Sequence, residues 1–169
     1  MFDLDCGLRL REFRPPPSSD IDDIISMYND AQVAPLINDG FAVPRGQKFK
    51  DAFQSSIDSP SVEIFCMIET IPSTSSSAGE PVLPQFVGIV GLWSLGEKGN
   101  RHATFSISLM PQFWSKGYGT EVTKFIVNHA FVQMNMHRIS LQVYDGNERA
   151  ISLYKKMSVF LFSSSAFVF

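Results

Sequence analysis

Cysteine is scarce in this chain. Cys6 and Cys66 are the only two, they stand far apart, and neither belongs to a CxxC or Cys/His cluster. That argues against a disulfide framework and against a zinc site, and it fits a reducing compartment, so both read as structural thiols. Charge is scarce as well: 18% of residues are charged and the formal net charge is -3. Nothing in that balance suggests an electrostatic grip on nucleic acid or on an anionic membrane, and a local cationic site is left open. Long apolar runs are missing too, and no stretch reaches the length of a membrane span. Met1 to Leu10 is interrupted by Asp3, Asp5 and Arg9, which denies it the apolar core of a signal peptide. The cytoplasm is therefore the default location, with the nucleus left open. A chain of 169 residues suits one domain, spanning 1–169, and one active site.

What is present is a regular alternation of patterns. Leu8 to Phe13 sets Leu8, Leu10 and Phe13 against Arg9, Arg11 and Glu12, which predicts a strand with one exposed face. Pro15 to Pro17 end it. Ser18, Ser19 and Asp20 offer capping oxygens to a helix whose stripe is Ile21, Ile24, Ile25 and Tyr28. Ala31 to Gly46 reads as ordered but irregular, able to form one wall of an acceptor site, and it leads to a short helix near Phe49 to Ile57. Strands follow at Val62 to Ile68 and Phe86 to Leu95, with the Ser-, Thr- and Pro-rich Ile71 to Gln85 as a flexible hairpin linker between them. Ala103 to Leu109 alternates as a further strand. Val122, Phe125, Ile126, His129, Ala130 and Met134 then outline a helix with a broad apolar face. Arg138 to Val143 is the next strand, and Asn147 is placed to cap a helix that buries Ala150, Ile151, Tyr154 and Met157. The order predicts an α+β fold with a mixed, mostly antiparallel central sheet flanked by helices. No internal repeat is found.

Chemistry concentrates at Trp114-Ser115-Lys116-Gly117-Tyr118-Gly119-Thr120-Glu121, between a strand and a helix. The first amides of a helix point outward together, and they and the helix dipole attract an anion. Gly117 and Gly119 let backbone approach a phosphate without a Cβ in the way. Lys116 can add charge and Thr120 a hydroxyl. The order Lys116-Gly117 is wrong for a Walker loop. Val122 stands where a dinucleotide fingerprint needs its third glycine. An ordinary helix start with two turn glycines remains the plain alternative.

Leu109-Met110-Pro111 through Glu121, followed by His137-Arg138-Ile139 and by Asn147 through Lys156, resembles the GNAT superfamily, and within it the ribosomal-protein N-terminal acetyltransferase branch. Trp114 takes the place of a Gln/Arg. The likeness is strong from Phe86 to Lys156 and looser before it. It implies a direct transfer in which acetyl-CoA lies in a splayed gap between two strands and an amine attacks the thioester, the protein supplying alignment and charge placement. It further implies that the main chain of Ile107, Ser108 and Leu109 pairs with the pantetheine arm, that Ser115, Lys116, Gly117, Tyr118, Gly119 and Thr120 hold the pyrophosphate, and that Asn147 touches the pantetheine side. Tyr154 matches the phenol that protonates the departing thiolate. No metal is expected. The partner would be an amine, small molecule or protein.

The chain departs from that pattern in two places. Thr104 stands where the branch often has an acid, so Glu63, Glu69 and Asp145 are the remaining candidates for a base, each also readable as a solvated charge. His129 reads as a core histidine, His137 as a packing position at a strand start, and His102 as a loop residue. The uncharged tail, 157–169, is atypical. It reads either as a genuine strand, Val159 to Phe162, or as what a pyrimidine-rich intron end would encode. Ser163 to Phe169 looks too short for the customary further strand, which would leave a sheet edge open to self-association. A coenzyme-A-binding sensor or interaction module without turnover is the competing function.

Overall fold

The computed structural model describes residues 1–37, 43–72, 82–96, 98–157, 160–163 and 166–168. Its strands are β1 (Phe2–Asp3), β2 (Leu8–Arg11), β3 (Val62–Thr70), β4 (Phe86–Ser94), β5 (His102–Leu109), β6 (Arg138–Gln142), β7 (Phe160–Ser163) and β8 (Ala166–Val168). The helices are α1 (Asp20–Asn29), α2 (Ala34–Ile37), α3 (Gln47–Ile57), α4 (Tyr118–Val132) and α5 (Glu148–Lys156). All eight strands form one sheet in the order β1-β2-β3-β4-β5-β6-β8-β7. Every neighbouring pair is antiparallel except β5 and β6. The fold is thus the mixed, mostly antiparallel α+β sheet that the sequence pattern predicts.

Alternation along the central strands sends successive side chains to opposite faces, and both faces are covered. On one face Leu8, Leu10, Ile68, Val90, Leu92 and Phe105 pack with Val122, Ile126 and Ala130 of α4. On the other, Met67 and Ile89 meet Ile24 and Met27 of α1. Burial of a single Ile or Val of this kind contributes about 1.5–3 kcal/mol, which fixes α4 and hence the turn at its start.

The second layer overturns one expectation. Arg11, predicted on an exposed strand face, lies beneath α1 and is buried. Its guanidinium donates to both carboxylate oxygens of Asp20 (2.5 and 2.8 Å) and to Glu69 (2.7 Å). Asp20, only 3% exposed, also accepts the Arg14 amide at 2.8 Å. Burial alone would raise the Asp20 carboxyl, but its bonds to Arg11 and Arg14 hold it below the usual carboxylate range. Ser19 holds the cap position of α1 yet gives its hydroxyl to the Asp23 carboxylate.

Other differences are local. Phe2–Asp3 adds an edge strand, and the segment read as irregular contains α2. His102 is not a loop residue: it opens β5, with Nε2 2.9 Å from the Ser140 hydroxyl. The hairpin linker lies mostly outside the described residues, although β3 and β4 pair as expected. The tail does supply the further strand thought too short to form. β8 inserts beside β6 and leaves β7 at the edge.

Candidate active site

Strand β5 pairs in parallel with β6 only through His102/Arg138, Ala103/Ile139 and Thr104/Ser140. Beyond Thr104 it stays paired to β4 as far as Leu109, so the two strands part and Ile107 to Leu109 keep an open edge. Gly88 of β4 lets the backbone of β5 lie close to it at this point. A Cβ there would stand 2.1 Å from the Ser108 carbonyl oxygen. The resulting cleft holds about 380 Å³, within the range of small-molecule sites.

At one end of the cleft α4 begins. Gly117 caps it in the left-handed region (φ 83°), and Ser115 is also left-handed (φ 60°). The amides of Thr120 and Glu121 both bond the Gly117 carbonyl, at 3.0 and 3.1 Å, and those just before them are unclaimed by the helix. Alternating backbone hand of this kind gathers N–H groups into an anion-binding concavity. Asn147 caps α5, its Oδ1 accepting the Ala150 amide at 3.1 Å, and its side of the helix faces the same cleft. Tyr154 lies at 5% exposure in the lining, and burial pushes its phenol well above the ordinary tyrosine range.

Nine of the ten residues expected at the cofactor line this cleft: Ile107, Ser108, Leu109, Ser115, Gly117, Tyr118, Gly119, Thr120 and Asn147. Lys116 does not. Its ammonium lies over the Phe113 ring, 5.1 Å from the centroid. The Leu109 carbonyl already accepts the Trp114 indole N–H at 2.8 Å, so the open edge is shared with that ring. Sequence reasoning missed Arg149 and Lys156, the cations of the lining among the described residues, whereas the segment expected to form a wall, Ala31 to Gly46, does contribute the apolar Val33, Leu36 and Ile37. The signal in the sequence was their i, i+7 spacing on one helix face, which does not by itself say that the face meets the cleft.

The base candidates are dispersed. Glu69 is committed to Arg11, Glu63 accepts the Ser94 hydroxyl, and Asp145 sits exposed in a turn. No carboxylate or histidine lines the cleft among the described residues. His129 is half-buried against Phe2 and Phe125, and His137 contacts Arg101. Among the described residues no helix is long and apolar enough to cross a membrane.

An antiparallel sheet that splits at one parallel pair, with a glycine-opened helix start aimed into the split, defines a class of clefts built for an extended ligand with an anionic end. The chain belongs to the GNAT acetyltransferase family, whose domain description, Acetyltransferase (GNAT) domain, matches residues 9–158. The uncharacterized N-acetyltransferase YoaA of Bacillus subtilis (strain 168) is 29% identical over 73 residues, 43% of this chain and 41% of that protein. Spermidine N(1)-acetyltransferase of Escherichia coli (strain K12) is 33% identical over 58 residues, 34% of this chain and 31% of that protein. The chain thus spans less than half the length of these curated relatives. Among solved structures, a domain from Methanocaldococcus jannaschii DSM 2661 superposes with TM-score 0.75 at 10% identity, covering 96% of this chain and 97% of that one. Spermidine N-acetyltransferase from Vibrio cholerae in complex with CoA and spermine gives 0.73 at 16%, covering 98% and 96%. At those identities the likeness carries the fold.

Proposed function

We propose that this protein is an acetyl-CoA-dependent N-acetyltransferase that moves an acetyl group to a primary amine by direct attack. The supporting observation is the convergence on one cleft of an open strand edge, a run of unclaimed helix-start amides, and Tyr154. These features fit coenzyme A: the edge of Ile107 and Ser108 with Asn147 suits the amides of the pantetheine arm, and Gly117 to Thr120 suit the pyrophosphate. When bound, acetyl-CoA supplies a thioester carbonyl open to attack by an amine. Tyr154 keeps its proton through the working pH range and offers it from Oη to the sulfur that leaves. With no carboxylate or histidine in the described lining, the acceptor amine loses its proton to solvent.

The acceptor is proposed as a primary amine. The two motifs resemble the ribosomal-protein N-terminal branch, whereas a curated relative and a solved neighbour act, by their names, on spermidine. The lack of an acid at Thr104 favours a second reading, a coenzyme-A-binding module without turnover. Thiol release from acetyl-CoA with a panel of amines and peptides separates the two. Self-association through β7, the edge strand, is part of the proposal.

A further inference from the structure

Among the described residues two cations line the cleft, Arg149 and Lys156, and both come from α5. Arg149 is distinguished by its backing. Its guanidinium carbon lies 4.6 Å from the centroid of the Trp114 ring. That ring is itself fixed, since its N–H donates to the Leu109 carbonyl and the side chain packs against the cluster of Met67 and Ile89. A guanidinium held over an aromatic face is attracted by the ring while its N–H donors remain available to meet a planar or tetrahedral anion. Arg149 forms no ion pair among the described residues. Ser115 and Gly117, from the amide cradle, line the same cleft beside Trp114. Lys116, the cation the sequence motif offers, is not in the lining, and its ammonium lies over the Phe113 ring.

We infer that Arg149, stacked on Trp114, is the phosphate-recognising side chain of the cleft and takes a phosphate of coenzyme A, with Trp114 as its positioning residue. The inference rests on the reading of this cleft as the cofactor site. Arg149 is exposed on a helix surface, so its replacement leaves the fold intact.

Calorimetry with CoA, dephospho-CoA and pantetheine on the wild type, Arg149→Gln, Arg149→Lys, Trp114→Phe and Trp114→Leu tests it. Arg149→Gln should weaken CoA binding by about tenfold, the size of one charge-assisted hydrogen bond, and leave pantetheine binding unchanged. Arg149→Lys should recover part of the loss; Trp114→Phe, which keeps a ring beneath the guanidinium, should retain most of the affinity, whereas Trp114→Leu should lose CoA affinity but not pantetheine affinity, and unchanged CoA binding in Trp114→Leu removes Trp114 from the positioning role. A loss confined to CoA assigns the contact to the ribose phosphate, and an equal loss with dephospho-CoA assigns it to the pyrophosphate. Wild-type binding with Arg149→Gln unchanged overturns this inference alone. A wild-type protein that binds no CoA overturns the cofactor reading and this inference with it.

Discussion

Gly119 is the position where the cradle can be closed by a single side chain. A Cβ built there stands 3.3 Å from Leu153 Cδ1 and 3.7 Å from Leu109 Cδ1, both flexible side-chain ends that line the cleft. For Gly119→Ala, Leu153 needs to yield only a few tenths of an ångström. That small cost is offset by the roughly 0.5–1 kcal/mol that alanine gains over glycine in a helix. Stability should therefore be nearly unchanged and CoA affinity should fall by no more than about threefold, under roughly 0.7 kcal/mol. Gly119→Val carries two methyls about 1.5 Å further, into a space where the Cβ already stands close to Leu153 and Leu109. Overpacking of that kind costs about 1–3 kcal/mol, or a melting temperature lower by about 3–9 °C at roughly 3 °C per kcal/mol. The valine variant should stay folded but bind CoA more than about tenfold more weakly, because a phosphate can no longer reach the amides. Calorimetry beside thermal melts of both variants is the assay. A valine variant that binds CoA like the wild type would refute the claim that the pyrophosphate sits on the start of α4.

Three other outcomes follow from the same structure. Tyr154→Phe should lower kcat by about 10²–10⁴ with unchanged acetyl-CoA affinity. Because burial raises the Tyr154 phenol, wild-type activity should climb as the acceptor amine deprotonates and show no fall up to pH 10; an alkaline drop near pH 9 in kcat would contradict the raised phenol. Arg11→Met strands the buried Asp20 carboxylate and should cost about 3 kcal/mol of stability at pH 7. The depressed Asp20 value makes that network fully stabilising above the ordinary carboxylate value of about 3.9 and lost as pH falls below it. Denaturant melts at pH 7 and pH 3 should thus show a smaller acid-induced loss in Arg11→Met than in the wild type, and equal losses would count against it. Sedimentation should show association reduced by a Lys substitution at Leu161 on the edge strand, and an unchanged distribution would exclude β7 as the contact.

Periodicity carried most of the fold. The stripe Ile21, Ile24, Ile25 and the alternation of Phe105, Ile107 and Leu109 each have one dominant apolar face, and both became the elements they predict. The sequence reading failed where two charged groups satisfy each other. Arg11 in an alternating strand is indistinguishable from a solvent-facing residue until Asp20, nine positions on, is folded over it. The candidate site was legible as backbone. Gly117 and Gly119 advertise a turn that must approach something closely, and Asn147 advertises a helix start. The cation was not legible in the same way, since Lys116 is adjacent in sequence to the cradle but turns to Phe113, while Arg149 arrives from another helix and is set by a stack on Trp114. The hairpin of β7 and β8 was underestimated because a three-residue strand gives too short a pattern to recognise by alternation.

The central claim is tested most directly by incubating the folded protein with acetyl-CoA and a panel of primary amines, including N-terminal peptides and spermidine, and identifying products by mass spectrometry. An acetylated amine formed together with an equal amount of free CoA thiol is the predicted result. A folded protein that leaves every amine unmodified would contradict it.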